Sequence, residues 1–225
     1  ILIEGTPKTE TDITANECYR MLQTTYRKEY SEVFDIFYGI YVSEIISLNT
    51  NLQCSITPEQ FFILDLPIVY DNKCATTLYG CFDFFIKPDK LIGDNAWFNE
   101  KKGEKEDILK RNIFWSFPQF LVITLNRFSI DGSHKINTLI DIPINDLDLS
   151  KYVNGYDAYK YKYDLVGIGN HMGNINGGHY TAFVKNPYNS WALYDDDIVS
   201  PVNDISSIIS PAAYCLFYRI KNNGL

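Results

Sequence analysis

The spacing of apolar residues changes period along this chain, and the change divides it into elements. Cys18, Leu22, Tyr26, Tyr30 and Phe34 recur at helical intervals behind Thr14-Ala15-Asn16-Glu17, which has the form of a capping box. An amphipathic helix is therefore predicted over 15–34, closed by Phe37-Tyr38-Gly39. Beyond it the runs are short and rich in β-branched and aromatic residues. Strands are predicted at 40–42, 61–64, 79–82, 121–125, 163–168 and 214–218. The charge-dense stretch 99–110 reads as an exposed excursion or hairpin tip, and 204–209 as a short helix or turn. One helix followed by a mostly antiparallel sheet places the fold in the α+β class.

The late part of the chain carries the candidate chemistry. Thr181-Ala182-Phe183-Val184 and Ser190-Trp191-Ala192-Leu193-Tyr194 are strand-like, with the turn signal Asn186-Pro187-Tyr188-Asn189 between them. Folding about Pro187 sets His179 opposite Asp195, where directly opposed Cβ atoms lie ~5 Å apart. A turn centred half a residue later pairs His179 with Asp196 instead and changes the face. A histidine held by a carboxylate is the base-and-orienter half of a nucleophilic site. Gly177 and Gly178 clear side-chain bulk ahead of His179, so that another backbone can come close. Tyr180, Trp191 and Tyr194 are expected to wall the site against water. The plainer reading is a packed strand histidine beside a solvated run of aspartates.

Composition narrows the classes. With 46% hydrophobic and 21% charged residues, the 225-residue chain has ample material for a core. No apolar run reaches the ~18 residues of a membrane span, so no membrane partner is expected. Twenty basic against 28 acidic residues give a formal charge of −8, which disfavours a nucleic-acid partner and suits a basic or arginine-bearing one. Cys18, Cys54, Cys74, Cys81 and Cys215 form no CxxC, so reduced thiols in an intracellular compartment are expected and a metal site is not. The first residue is Ile1 rather than Met, as expected for part of a longer chain.

Several segments together resemble the ubiquitin-specific protease family of cysteine deubiquitinases. Gly178-His179-Tyr180-Thr181-Ala182 resembles its histidine box, and Trp191 through Val199 the acidic box that follows. Ala213-Tyr214-Cys215-Leu216-Phe217-Tyr218-Arg219 resembles the closing strand. Pro118 through Phe128, then Lys135-Ile136, is similar to the strand pair running into the palm. Asn16-Glu17-Cys18-Tyr19-Arg20-Met21-Leu22, ahead of Ile36-Phe37-Tyr38-Gly39, resembles the helix before the fingers.

The resemblance implies a papain-like cysteine protease fold. Residues 1–225 would form the carboxyl-terminal part (end of thumb, fingers and palm) of one catalytic domain, with the thumb largely missing. It implies ubiquitin or ubiquitinated proteins as partners, and no cofactor. His179 would be the general base, Asp195 its orienter and Asp196 an auxiliary. His171, Gly178 and Tyr180 would line the channel for the ubiquitin tail, and Glu17 would hold an arginine of that tail. Glu17 has a plainer role in its capping box, His171 an exposed place in a Gly/Asn-rich loop, and Tyr180 one in the core.

Two departures qualify the match. Nothing matches the family's cysteine box, and Cys18, inside the predicted helix, reads as a small core residue. The paired cysteines of the fingers are also absent: the chain has Tyr41-Val42-Ser43-Glu44-Ile45 and Trp97-Phe98-Asn99-Glu100 near those places. The fingers are thus expected to hold without zinc. A catalytically silent ubiquitin-binding module of the same fold is the alternative.

Overall fold

The computed structural model describes residues 1–129 and 132–221. Among these residues three α-helices and sixteen strands follow in order. The first part holds α1 (Glu10–Lys28), α2 (Glu32–Phe37), β1 (Gly39–Ser47), β2 (Gln53–Phe61), β3 (Ile63–Pro67), β4 (Val69–Tyr70) and β5 (Lys73–Cys74). Then come α3 (Leu78–Phe85), β6 (Asp89–Leu91), β7 (Trp97–Asn99), β8 (Glu104–Glu106), β9 (Ile108–Ser116), β10 (Phe120–Asn126) and β11 (Leu147–Asp148). The chain ends in β12 (Lys162–Asn174), β13 (Gly177–Lys185), β14 (Trp191–Asp195), β15 (Ile198–Pro201) and β16 (Ala213–Ile220). No helix among the described residues is long and apolar enough to cross a membrane. The chain forms two compact units.

The first unit comprises Ile1–Phe61, Ile86–Pro118 and Leu149–Tyr159. Its helix α1 starts earlier than expected, because the box that caps it is Thr9 with Asp12, not Thr14 with Glu17. Asp12 N donates to Thr9 Oγ1 at 3.1 Å, and Thr9 N donates to Asp12 Oδ2 at 3.0 Å. Thr14 lies inside the helix and donates to Glu10 O. Glu10 and Asp12 in the first turn, and Arg27 and Lys28 in the last, complement the helix dipole. The single helix expected to reach Phe34 is broken in two, since the Ser31 hydroxyl accepts from Val33 N and starts α2. Ala15 and Cys18 on α1 pack with Ile40, Val42 and Trp115. The sheet they meet has the order β2-β1-β9-β6. Of the stretch 99–110, expected as an exposed excursion or hairpin tip, the part through Glu106 lies in the β7–β8 hairpin, a two-stranded sheet of its own, whereas 108–110 open β9 of the four-stranded sheet.

The second unit comprises Phe62–Phe85, Gln119–Asp148 and Lys160–Leu225. Its sheet has the order β15-β14-β13-β12-β16-β10-β3, with β11 added on β12. All pairings along it are antiparallel except β10 with β3. One face is closed by Leu121 level with Tyr218 and Ile123 level with Leu216, all fully buried. Each such aliphatic side chain contributes roughly 1.5–3 kcal/mol on burial.

Two strand expectations fail here. Residues 79–82 are helical, in α3, because Leu78, Cys81 and Phe82 bury one face at i, i+3 and i+4. Residues 61–64 are not one strand: β2 ends at Phe61 and β3 begins at Ile63, in different sheets. The other predicted strands are present, and 205–208 form a short 3-10 helix.

Candidate active site

The site is assembled at one end of the β12–β13–β14 ladder in the second unit. The hairpin between β13 and β14 is centred on Tyr188, not Pro187. Asn186 Oδ1 accepts from Tyr188 N and Ser190 N, and Asn189 takes a left-handed conformation at φ 63°. The left-handed residue lengthens the loop and sets the register Lys185↔Trp191, Val184↔Ala192, Ala182↔Tyr194. Continuing it brings Thr181, not His179, level with Asp195. His179 is two residues further on, hence on the same face, and reaches Asp195 diagonally. Direct opposition is thus corrected, while the pairing itself is present.

His179 Nε2–H donates to Asp195 Oδ1 at 2.5 Å. The carboxylate is an acceptor, so the bonded nitrogen must carry its hydrogen. Nδ1 makes no hydrogen bond to any described residue. The bond to Asp195, then its charge, push the imidazole pKa above its ordinary value against the opposing effect of burial, and the Asp196 charge adds the least in the same upward direction. Asp195 pairs with Ile198, and the two-residue turn between them puts Asp196 at φ 49°. Ligand atoms of His179, Asp195 and Asp196 lie within 4.8 Å of one another.

The expected aromatic wall is absent. Trp191 is buried at the far end of β14, opposite Lys185, and Tyr180 and Tyr194 alternate with His179 and Asp195 onto the other face. The His179 and Asp195 side chains are 45% and 44% exposed.

His171 is not in an exposed loop. It lies in β12 opposite Tyr180 and is 3% exposed, with its ring 4.7 Å from the Tyr180 ring, centroid to centroid. Phe128 and Tyr214 complete the surround at 5.8 and 6.0 Å. His171 N donates to Ala212 O, and Lys135 Nζ donates to His171 O. Burial, and then the Lys135 charge, lower the His171 pKa. Its Nδ1 is buried without a partner. Tyr180 is 62% exposed, so it covers His171 rather than filling the core.

Gly178 is required by this packing. A Cβ there would stand 2.4 Å from Met172 O and 2.5 Å from His171 Nε2. The close approach is therefore between β12 and β13 themselves.

Sequence reasoning gave no role to Phe128, Lys135 and Tyr214, or to Arg127. Arg127 is fully buried and donates to Ala213 O, Ile136 O and Thr138 O. An arginine soon after an apolar strand run was the available signal, since a charge carried into a core must find acceptors.

Glu17 belongs to the first unit. It caps nothing, its side chain is 40% exposed, and Arg20 lies 3.6 Å away. Cys18 is fully buried, and burial together with Glu17 pushes its thiol up to about 12. Burial also raises Cys81, to about 12, and Cys215, to about 11. No cysteine among the described residues hydrogen-bonds to His179.

An α+β fold of papain-like type with a histidine–carboxylate pair at a strand end defines the class. A family model described as ubiquitin carboxyl-terminal hydrolase matches residues 10–218. The chain belongs to that family. It is 38% identical over 174 residues to a putative ubiquitin carboxyl-terminal hydrolase 11 of Arabidopsis thaliana, covering 72% of this chain and 19% of that protein. It is 39% identical over 151 residues to ubiquitin carboxyl-terminal hydrolase 15 of Homo sapiens, covering 66% and 15%. The fold matches a yeast SAGA DUB module structure with a TM-score of 0.73 and 26% identity, covering 90% of this chain and 45% of that one. A SAGA DUB module containing Ubp8, bound to monoubiquitin, matches at 0.71 and 27%, covering 92% and 48%. The chain thus spans less than a fifth of these curated relatives and under half of the matched structures.

Proposed function

We propose that this chain is the carboxyl-terminal part of a single thiol-dependent ubiquitin hydrolase domain, and that its nucleophilic cysteine lies outside residues 1–225. The observation that carries this reading is the His179 Nε2–H bond to Asp195, which fixes the tautomer and leaves Nδ1 as the atom that can take a proton. Family membership supports the reaction, and the full burial of Cys18 and Cys81, with the thiol of the partly buried Cys215 raised to about 11, supports an external nucleophile.

His179 Nδ1 takes the thiol proton, and the imidazolium holds the resulting thiolate well below the free cysteine value of ~8.5. The thiolate attacks the carbonyl carbon of ubiquitin's terminal glycine. The C–N bond to the conjugated amine breaks as His179 returns the proton to that amine. Water then attacks the thioester, giving its proton to Nδ1, and the free ubiquitin carboxylate and the thiol are restored. Asp195 keeps the ring oriented throughout, with Asp196 as its auxiliary charge. Tyr180, exposed over the buried His171, is the residue of this strand pair that meets the ubiquitin tail, with His171 and Gly178 supporting it by packing. Glu17, in the first unit, offers a half-exposed carboxylate to a basic residue of ubiquitin.

The test is His179→Ala in the full-length protein, with a fluorogenic ubiquitin conjugate as substrate. Release of the fluorophore should cease, and turnover at the wild-type rate would overturn the assignment. A ubiquitin probe with a thiol-reactive warhead should label a cysteine outside residues 1–225.

A further inference from the structure

Among the described residues the tip hairpin β7–β8 has no partner strand. Only three residue pairs join its strands, and an isolated hairpin of that size is marginal in water. Something else must hold it, and Glu106, the last residue of β8, is 5% exposed.

Four hydrogen bonds converge on that carboxylate. Ser47 Oγ donates to Oε1 at 2.5 Å, Asn99 Nδ2 donates to Oε2 at 2.9 Å, and Lys102 Nζ donates to both oxygens at 3.0 Å. This matches the number of lone-pair sites an ionised carboxylate offers. The donors come from separate pieces of backbone: Ser47 ends β1, Asn99 ends β7, and Lys102 sits in the turn. Asn99 Oδ1 also accepts from Lys101 N and Lys102 N, so the residue that grips the carboxylate shapes the turn as well. Ser47 and Asn99 are 1% and 6% exposed.

The residues present do not fit the zinc that paired cysteines hold in the fingers of related proteins. Of the cysteines in this unit, Cys18 is buried in the α1 core and Cys54 donates to Leu52 O. Among the described residues no group of three histidine, cysteine or acidic side chains gathers at the tip. Lys102 already places a cation against both carboxylate oxygens, which repels a second one.

We propose that Glu106, with Ser47, Asn99 and Lys102, forms a metal-independent latch that holds the tip hairpin onto the end of β1 and keeps the exposed Phe98 presented on its outer face. Phe98 is 54% exposed and neighbours Asn99, so it projects from the side opposite the latch. The ordered donors also keep the Glu106 carboxyl at about 2. This inference does not depend on the catalytic reading.

Amide hydrogen exchange on the full-length protein tests it, with and without EDTA. Residues 97–107 should exchange at the same rate in both conditions. Glu106→Gln turns one acceptor oxygen into a donor facing Asn99 or Ser47, and should speed exchange there by about tenfold while leaving β12 and β13 unchanged. Lys102→Met, at a half-exposed position that does not threaten folding, should give a smaller increase in the same peptides. Faster exchange of the wild-type tip in EDTA would overturn the proposal in favour of a metal. Wild-type rates in both variants would overturn it in favour of packing alone.

Discussion

The His179 ring reaches Asp195 across a diagonal of the sheet, with Nε2 as the bonded nitrogen and both side chains nearly half open to solvent. The pairing stabilises the imidazolium, so the folded pKa is raised above the unfolded ~6.5. Its stabilising effect is fully present below ~6.5 and is lost as pH rises through the raised folded value. Asp195→Asn should lower the His179 titration followed by NMR. It should destabilise the protein at pH ~5.5 but not at pH ~9, and added salt should shrink the difference. An unchanged titration would remove Asp195 as the orienter.

His171 behaves in the opposite sense. Burial against Phe128, Tyr180 and Tyr214, with Lys135 on its carbonyl, lowers its pKa, so its contribution is present above ~6.5 and is lost as pH falls. His171→Phe keeps a ring in the stack and removes a buried Nδ1 that has no partner. Urea midpoints at pH 7.5 and 5 should therefore differ less in the variant than in the wild type. An equal acid-side loss in both proteins would place the sensitivity elsewhere.

The hairpin bearing His179 and Asp195 was legible because a turn signal and its flanking strands are local features. The two-residue error in register arose at Asn189, whose left-handed conformation no strand pattern reveals. Helix α3 was missed for a physical reason. Leu78-Tyr79-Gly80-Cys81-Phe82 is apolar nearly throughout, and such a short run has no period to distinguish helix from strand. His171 lies on β12, and the rings around it come from β13, from β16 and from the segment beyond β10, so only the folded sheet joins them. The capping box at Thr14 was a true pattern in the wrong place, displaced by the stronger one at Thr9.

That displacement frees Glu17 for another role. Its ion pair with Arg20 is at the surface, where such pairs contribute ~0–1 kcal/mol. Glu17→Ala should leave the denaturation midpoint almost unchanged. If Glu17 holds an arginine of the tail, titration of the full-length variant with ubiquitin should show affinity weaker by roughly tenfold or more. A stability loss with wild-type affinity would reverse the assignment.

Three of the five thiols should separate cleanly in native alkylation. Cys18 and Cys81 are fully buried, with thiols raised to about 12, while Cys74 is exposed. Brief treatment with iodoacetamide followed by peptide mapping should mark Cys74 and spare the other two. Rapid modification of Cys18 would return it to consideration as a nucleophile.

Gly178 gives the most direct structural test, because it lies beside His179 yet acts through packing. Its added methyl in Gly178→Ala would meet Met172 O, a backbone atom tied into the β12–β13 ladder, and the His171 ring held on three sides. Neither neighbour can yield without moving a strand, so overpacking should cost about 1–3 kcal/mol. The His171 resonances should shift strongly, since its Nε2 is the side-chain atom nearest the new methyl. The His179–Asp195 bond is on the other face and should survive, leaving the raised His179 titration close to wild type. A variant as stable as wild type, with His171 unshifted, would show that the two strands are less closely apposed than described.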